Sequence, residues 1–260
     1  MESNSVIPAA RPWLWPNLLS LDAPVVALLW QLLFARCFHA GLNAIAAAVL
    51  ALCVWLIYAA DRMLDAWTRN SSLPRHEFYR RHWRTILPVW SGAFALAIWL
   101  AWTRLPTALV ERGMLLATAV ALYFALVHLL GPAWPKELAV AILFALGASI
   151  AAWSAIRSPA EVEGIALFSF LCWINCAAID SWEIRGPRWP VGAAALVVAA
   201  AAALAYPRLP VLSAAEMASA LAFIVLDHQR ARFSRDALRV LADVALMTPA
   251  VFLPVSGMLK

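Results

Sequence analysis

The sequence predicts an all-α, polytopic membrane helical bundle of about nine transmembrane helices, on three observations. First, the 260 residues are 64% hydrophobic and only 13% charged, with a mean hydropathy of +0.78, whereas soluble domains run near half apolar and a quarter charged. Second, long runs carry no charge at all, and about 20 apolar residues suffice for a helix to cross a bilayer. Third, 16 prolines and 9 glycines, with almost no alternation of apolar and polar residues, argue against a β-barrel.

Apolar runs bounded by charge, proline or glycine place the spans at residues 18–38, 43–60, 86–103, 113–130, 137–156, 163–180, 190–206, 211–227 and 240–257. The first follows a dozen residues, Met1 to Pro12, without the basic and apolar regions of a cleavable signal, so it is expected to be a retained span. Spans two and three are joined by the longest polar segment, residues 61–85, which reads as a cytoplasmic basic loop. Its sequence, DRMLDAWTRNSSLPRHEFYRRHWRT, holds six arginines, two histidines and three acids. A long charged loop in a chain of minimal loops is a functional candidate; its bland counterpart is an anchor on anionic lipid. The seventh span is short and alanine-rich, and Pro207 and Pro210 crowd the turn that follows. No separate soluble domain fits, so residues 1–260 read as one transmembrane domain.

With nine spans and an inside N-terminus, 14 of the lysines and arginines fall on the cytoplasmic side and 6 on the other. That asymmetry favours this orientation, and the expected location is multi-pass, of bacterial inner-membrane type, with a cytoplasmic N-terminus. The same asymmetry explains the net charge of +5 without nucleic acid. Tryptophans near span ends, among them Trp83, Trp102, Trp134 and Trp189, read as interface anchors. Cys37, Cys53, Cys172 and Cys176 lie inside apolar runs without a CxxC spacing, so they read as small core residues and not as a zinc site.

Ionisable residues at helix ends in a membrane are costly unless they face a cavity, a partner or a metal. Asp61 and Asp65 end span two, four residues apart and so on one helix face, with Tyr58 one turn earlier on that face. Two carboxylates this close repel one another. Mg²⁺ relieves the repulsion, because it binds through one or two carboxylates and completes its shell with water and phosphate oxygens. Asp180 and Glu183 form a second acidic patch at the end of span six, with Asn175 further back on the helix. Lys136 and the Arg75–Arg84 segment would supply the positive half of a metal–polyanion site, since a bound diphosphate needs basic groups too. The structural alternative is that each acidic pair salt-bridges nearby arginines (Arg62, Arg69, Arg185, Arg188), with Lys136 a positive-inside residue after Pro135.

These residues resemble the UbiA superfamily of intramembrane prenyltransferases. Ile57 to Asp65 is similar, over its last five positions, to the NDxxDxxxD signature at the end of that family's second helix. Asp180-Ser181-Trp182-Glu183 resembles its second acidic cluster, Leu21-Asp22-Ala23-Pro24 its opening Asp-x-Pro, and Lys136 a basic residue before span five. Ile57 and Tyr58 stand where the family has Asn and Asp, and the second cluster is one residue shorter and ends in Glu. The resemblance implies a Mg²⁺-dependent enzyme in which Asp61, Asp65, Asp180 and Glu183 are the catalytic, metal-holding residues. Tyr58, Arg62, Arg75, Lys136 and Asn175 would bind the substrates. The reaction implied is transfer of a prenyl group from a prenyl diphosphate to a lipophilic, aromatic acceptor, with the bilayer as solvent for both.

The loss of the signature's first two polar residues keeps open a non-catalytic protein that binds isoprenoid lipid or a membrane partner. A transporter ranks third, because span centres are nearly free of charge; Asp22 and Asp243 come nearest. The signature of CDP-alcohol transferases, with DG and AR ahead of GxxxDxxxD, is absent.

Overall fold

The computed structural model describes residues 12–68, 74–130, 136–183 and 189–256, and the described residues are 89% helix, with no strand among them. A 3₁₀ turn at Pro12–Leu14 and a short helix α1 (Trp15–Leu18) precede α2 (Asp22–Cys37), α3 (Ala44–Thr68) and α4 (Pro74–Arg104). Next come α5 (Thr107–Leu130), α6 (Lys136–Ser149, continued by a 3₁₀ segment Ile150–Ala155), α7 (Pro159–Glu183) and α8 (Val191–Ala205). The chain ends in α9 (Pro210–Gln229), α10 (Arg235–Ala245) and α11 (Pro249–Ser256).

Among the described residues, seven helical stretches are long and apolar enough to cross a membrane: those in α3, α4, α5, α6 with its extension, α7, α9, and α10 with α11. The other two expected spans are shorter helices. α2 has 16 residues and α8 has 15, which at 1.5 Å per residue is about 24 Å or less, under the roughly 30 Å hydrocarbon thickness. α2 starts late because the chain turns at Ser20, whose φ of 56° interrupts the helix. α8 is bounded by Pro190 and by a turn at Tyr206–Arg208.

Of the segment 61–85, expected as a loop, residues 61–68 and 74–85 are helical. α3 runs on to Thr68 and α4 begins at Pro74, leaving only 69–73 outside the described residues. Nothing from Asp61 to Thr68 breaks a helix. Pro74 opens the next one at a position where its missing N–H costs nothing, with Glu77 in the favourable first turn. Arg80, Arg81 and Arg84 are therefore exposed helical residues, while Tyr79 beside them is buried against Ala59, Met63 and Ala66 of α3. The alanines let the two backbones approach closely.

The main core joins α2 to α7. Trp30 stacks on Phe168 with ring centroids 4.1 Å apart, and Phe34 meets the same ring edge-on. Between α10 and α11 the helix breaks, which frees a carbonyl; the Trp30 indole N–H donates to it, at Leu246 O, 2.7 Å away. Thr248, in the same break, bonds Ser219 Oγ and Ala215 O of α9. In a medium without water such freed backbone groups need protein partners. Gly164 of α7 lies so close to α9 that an added Cβ would fall 2.5 Å from Leu212 Cδ2. α4 and α5 stay at the rim, where their apolar faces are left to lipid.

Candidate functional site

Asp61 and Asp65 sit on the last turns of α3, Asp61 exposed and Asp65 half-buried, and both interact with neighbours. Tyr58, one turn before Asp61, meets Phe144 of α6 edge-on with ring centroids 6.3 Å apart, and Gly147 of α6 lies beside Leu50 of α3, so the two helices run antiparallel. The acidic end of α3 and the Lys136 end of α6 therefore lie toward the same end of the bundle. Lys136 is half-exposed and lies 4.0 Å from its neighbour Glu137, an exposed contact too long and too wet to hold it firmly.

Asp180 is exposed at the end of α7. Glu183 is the last residue of α7 and Arg75 the second of α4, but the side chains of both lie outside the described residues. Among the described residues, no group of three or more His, Cys, Asp or Glu is placed to hold a metal ion.

Deeper in the bundle the structure assembles a polar cluster. Asp22 opens α2, its Oδ1 accepting from the Ala23 N–H at 3.0 Å, where the positive end of the helix favours a carboxylate. Asn17 donates to Asp22 Oδ2 at 2.6 Å and lies 3.4 Å from Asp243 Oδ2 of α10. Asn175 of α7 donates to Asp243 Oδ1 at 3.2 Å. The Asn17 amide nitrogen thus sits between the carboxyls of Asp22 and Asp243. Arg62 itself turns inward: its Nε donates to Ser20 Oγ at 3.0 Å, which also contacts Tyr79 Oη at 3.1 Å. These bonds hold Ser20 in its left-handed conformation, one that a residue with a Cβ rarely adopts.

Tyr58 faces the same interior, edge-on to Phe144 of α6 and packed on the cluster that includes Ala23, the residue after Asp22. Asn175 is five residues before Asp180, so the cluster lies about 8 Å deeper along α7 than the acidic helix end.

Of the residues singled out in the sequence, Tyr58, Arg62 and Asn175 thus converge on this deeper cluster, whereas Asp61, Asp65 and Lys136 gather at the helix ends above it. Asp22, Asp243, Asn17, Ser20 and Tyr79 were not among the expected site residues. Asp22 and Asp243 did carry a signal, being acids set into apolar runs, but their pairing depends on the two ends of the chain meeting in space.

The chain matches no protein-family model, no curated protein and no solved structure.

Proposed function

We propose that the protein is an intramembrane transferase that moves a prenyl group from an isoprenoid diphosphate to a lipophilic, aromatic acceptor. In this reading α2 and α8 complete a nine-helix, UbiA-like bundle. The observation that carries it is the placement of Asp61 and Lys136 toward one end of the bundle, on α3 and α6, which meet at Tyr58 and Phe144: acid and base from separate helices.

Asp61 and Asp65 would hold Mg²⁺. A donor set of two carboxylates one helical turn apart fits that ion, which takes one or two carboxylates and leaves the rest of its shell to water and phosphate oxygens. Bound there, Mg²⁺ would neutralise charge on the diphosphate. Lys136, half-exposed beside Glu137, would reach the departing diphosphate and stabilise the additional negative charge it takes with the C–O electron pair. Tyr58 and Phe144 pack together in the apolar interior below, the part of the bundle that would shield an allylic cation from water until the acceptor captures it. Asn175 and Arg62 are held by Asp243 and Ser20, so they would shape this space and not grip the diphosphate. Asp180 and Glu183 would serve as a second, outer acidic group.

Tyr58, standing where the signature has an acid, packs on Phe144, which supports a second reading: a non-catalytic protein that binds isoprenoid lipid. Thermal stabilisation by farnesyl or geranylgeranyl diphosphate separates the two. Stabilisation that requires Mg²⁺ and is lost in Asp61→Ala supports the transferase. Stabilisation indifferent to both removes it in favour of the second.

A further inference from the structure

α4 is longer than a membrane crossing requires. Its 31 residues extend about 46 Å at 1.5 Å per residue, against a hydrocarbon layer of about 30 Å. With Arg104, at its C-terminal end, on one edge of that layer, about 30 Å of helix reaches back to Arg84. The turns before Arg84 then stand among the lipid headgroups, a zone about 5–7 Å deep on each side. Arg80, Arg81 and Arg84 occupy these turns, and all three are exposed. Trp83, also exposed, has the Arg84 guanidinium 5.6 Å from its ring centroid, and it sits at the boundary where aromatic anchors collect.

Helical spacing joins these arginines to an apolar stripe. Tyr79, Ile86 and Trp90 turn toward α3. Arg80, Arg84, Leu87, Phe94 and Ile98 follow one another at intervals of three, four or seven residues, so they share one face about a quarter turn round the helix from that contact. Leu87, Phe94 and Ile98 are exposed, and Phe94 is braced by its stack on Trp90, with ring centroids 5.3 Å apart. The stripe thus runs from two guanidinium groups at headgroup level to three apolar side chains in the hydrocarbon layer. Glu77 is the one acid of α4, and Arg80 and Arg84, one turn apart with like charge, repel each other. An anionic phospholipid has the complementary layout, a negatively charged head above an apolar chain.

We infer that this stripe binds an anionic phospholipid, its phosphate held by Arg80 and Arg84 with Arg81 alongside, and an acyl chain along Leu87, Phe94 and Ile98. Arginine suits the task, since its planar guanidinium takes phosphate oxygens in pairs. A zwitterionic lipid brings the same phosphate, but its own ammonium cancels the charge that attracts the arginines. The site does not rest on the transferase reading: Asp61 and Asp65 are on α3, which packs against a different face of α4.

The test is photo-cross-linking of the full chain in phosphatidylcholine nanodiscs that carry a trace of one probe. The probes are phosphatidylglycerol and phosphatidylcholine with the same diazirine-bearing acyl chain, and adducts on residues 87–98 are read by mass spectrometry. Phosphatidylglycerol is expected to label them at least about tenfold more than phosphatidylcholine, since each arginine near the surface favours an anionic lipid by about fivefold. That ratio is expected to fall toward one in the double variant Arg80→Gln with Arg84→Gln. It is expected to hold in Arg104→Gln, which removes the same charge from an exposed position at the other end of α4. Equal labelling by the two probes on the wild-type chain, or a preference undiminished in the double variant, overturns the assignment. The wild-type comparison decides it even if the double variant does not fold.

Discussion

Asn175 Nδ2 donates to Asp243 Oδ1 at 3.2 Å, tying the middle of α7 to α10 across the interior of the bundle. From the sequence, Asn175 belonged with Asp180 and Glu183 in a diphosphate site. In the structure it is turned toward the last quarter of the chain. Asn175→Ala removes a donor from a buried carboxyl, so unfolding in detergent is expected to show a loss of about 1–2 kcal/mol. The double variant with Asp243→Ala should lose less than the sum of the two single losses; strict additivity would mean the two side chains are not coupled.

Trp30 offers a cleaner test of how the break between α10 and α11 is tolerated. Its indole N–H satisfies Leu246 O at 2.7 Å, while its ring carries the stack on Phe168. Trp30→Phe keeps much of the stack and loses the donor, leaving a buried carbonyl unpaired at a cost of about 1–3 kcal/mol. An unchanged melting temperature would show that the carbonyl has another partner.

Gly164 is required by packing. An added Cβ would meet Leu212 at 2.5 Å, and Leu212 is fully buried, so it has no free space to yield into. Gly164→Ala is expected to cost about 1–3 kcal/mol through overpacking, and Leu212→Ala in the same chain should recover part of that loss. A Gly164→Ala protein as stable as the wild type would show that α7 and α9 are further apart.

Glu216 of α9 is fully buried, and neither of its carboxyl oxygens has a hydrogen-bond partner among the described residues. Replacing such a group by an apolar side chain of similar length is neutral or favourable. Glu216→Met is therefore expected to hold or raise the melting temperature. A fall of several degrees would mean that the carboxyl is paired in the membrane.

The bundle was legible because a charge-free run of about 20 residues has few other uses. The same hydropathy reading misjudged 61–85, since hydropathy reports where a helix leaves lipid and not where its hydrogen bonds end. Asp61 to Thr68 leaves the apolar layer while still helical. α2 fell short of its expected length for a different reason: the left-handed turn at Ser20 is held by Arg62 and Tyr79, partners far along the chain. The pairing of Asp61 with Asp65 on one face followed from helical spacing alone. The Asn17–Asp243 contact, 226 residues apart in sequence, followed from no local pattern.

The role given to Asp61 is tested most directly by turnover. Purified wild-type protein and Asp61→Ala are incubated with labelled isoprenoid diphosphates and a panel of phenolic lipid acceptors, with and without EDTA. Prenylated product that forms with Mg²⁺, disappears with EDTA and falls at least about 100-fold in a variant that still folds is the result expected. Product formation that survives both the chelator and the substitution, or none from any diphosphate and acceptor by the folded wild-type chain, would contradict it.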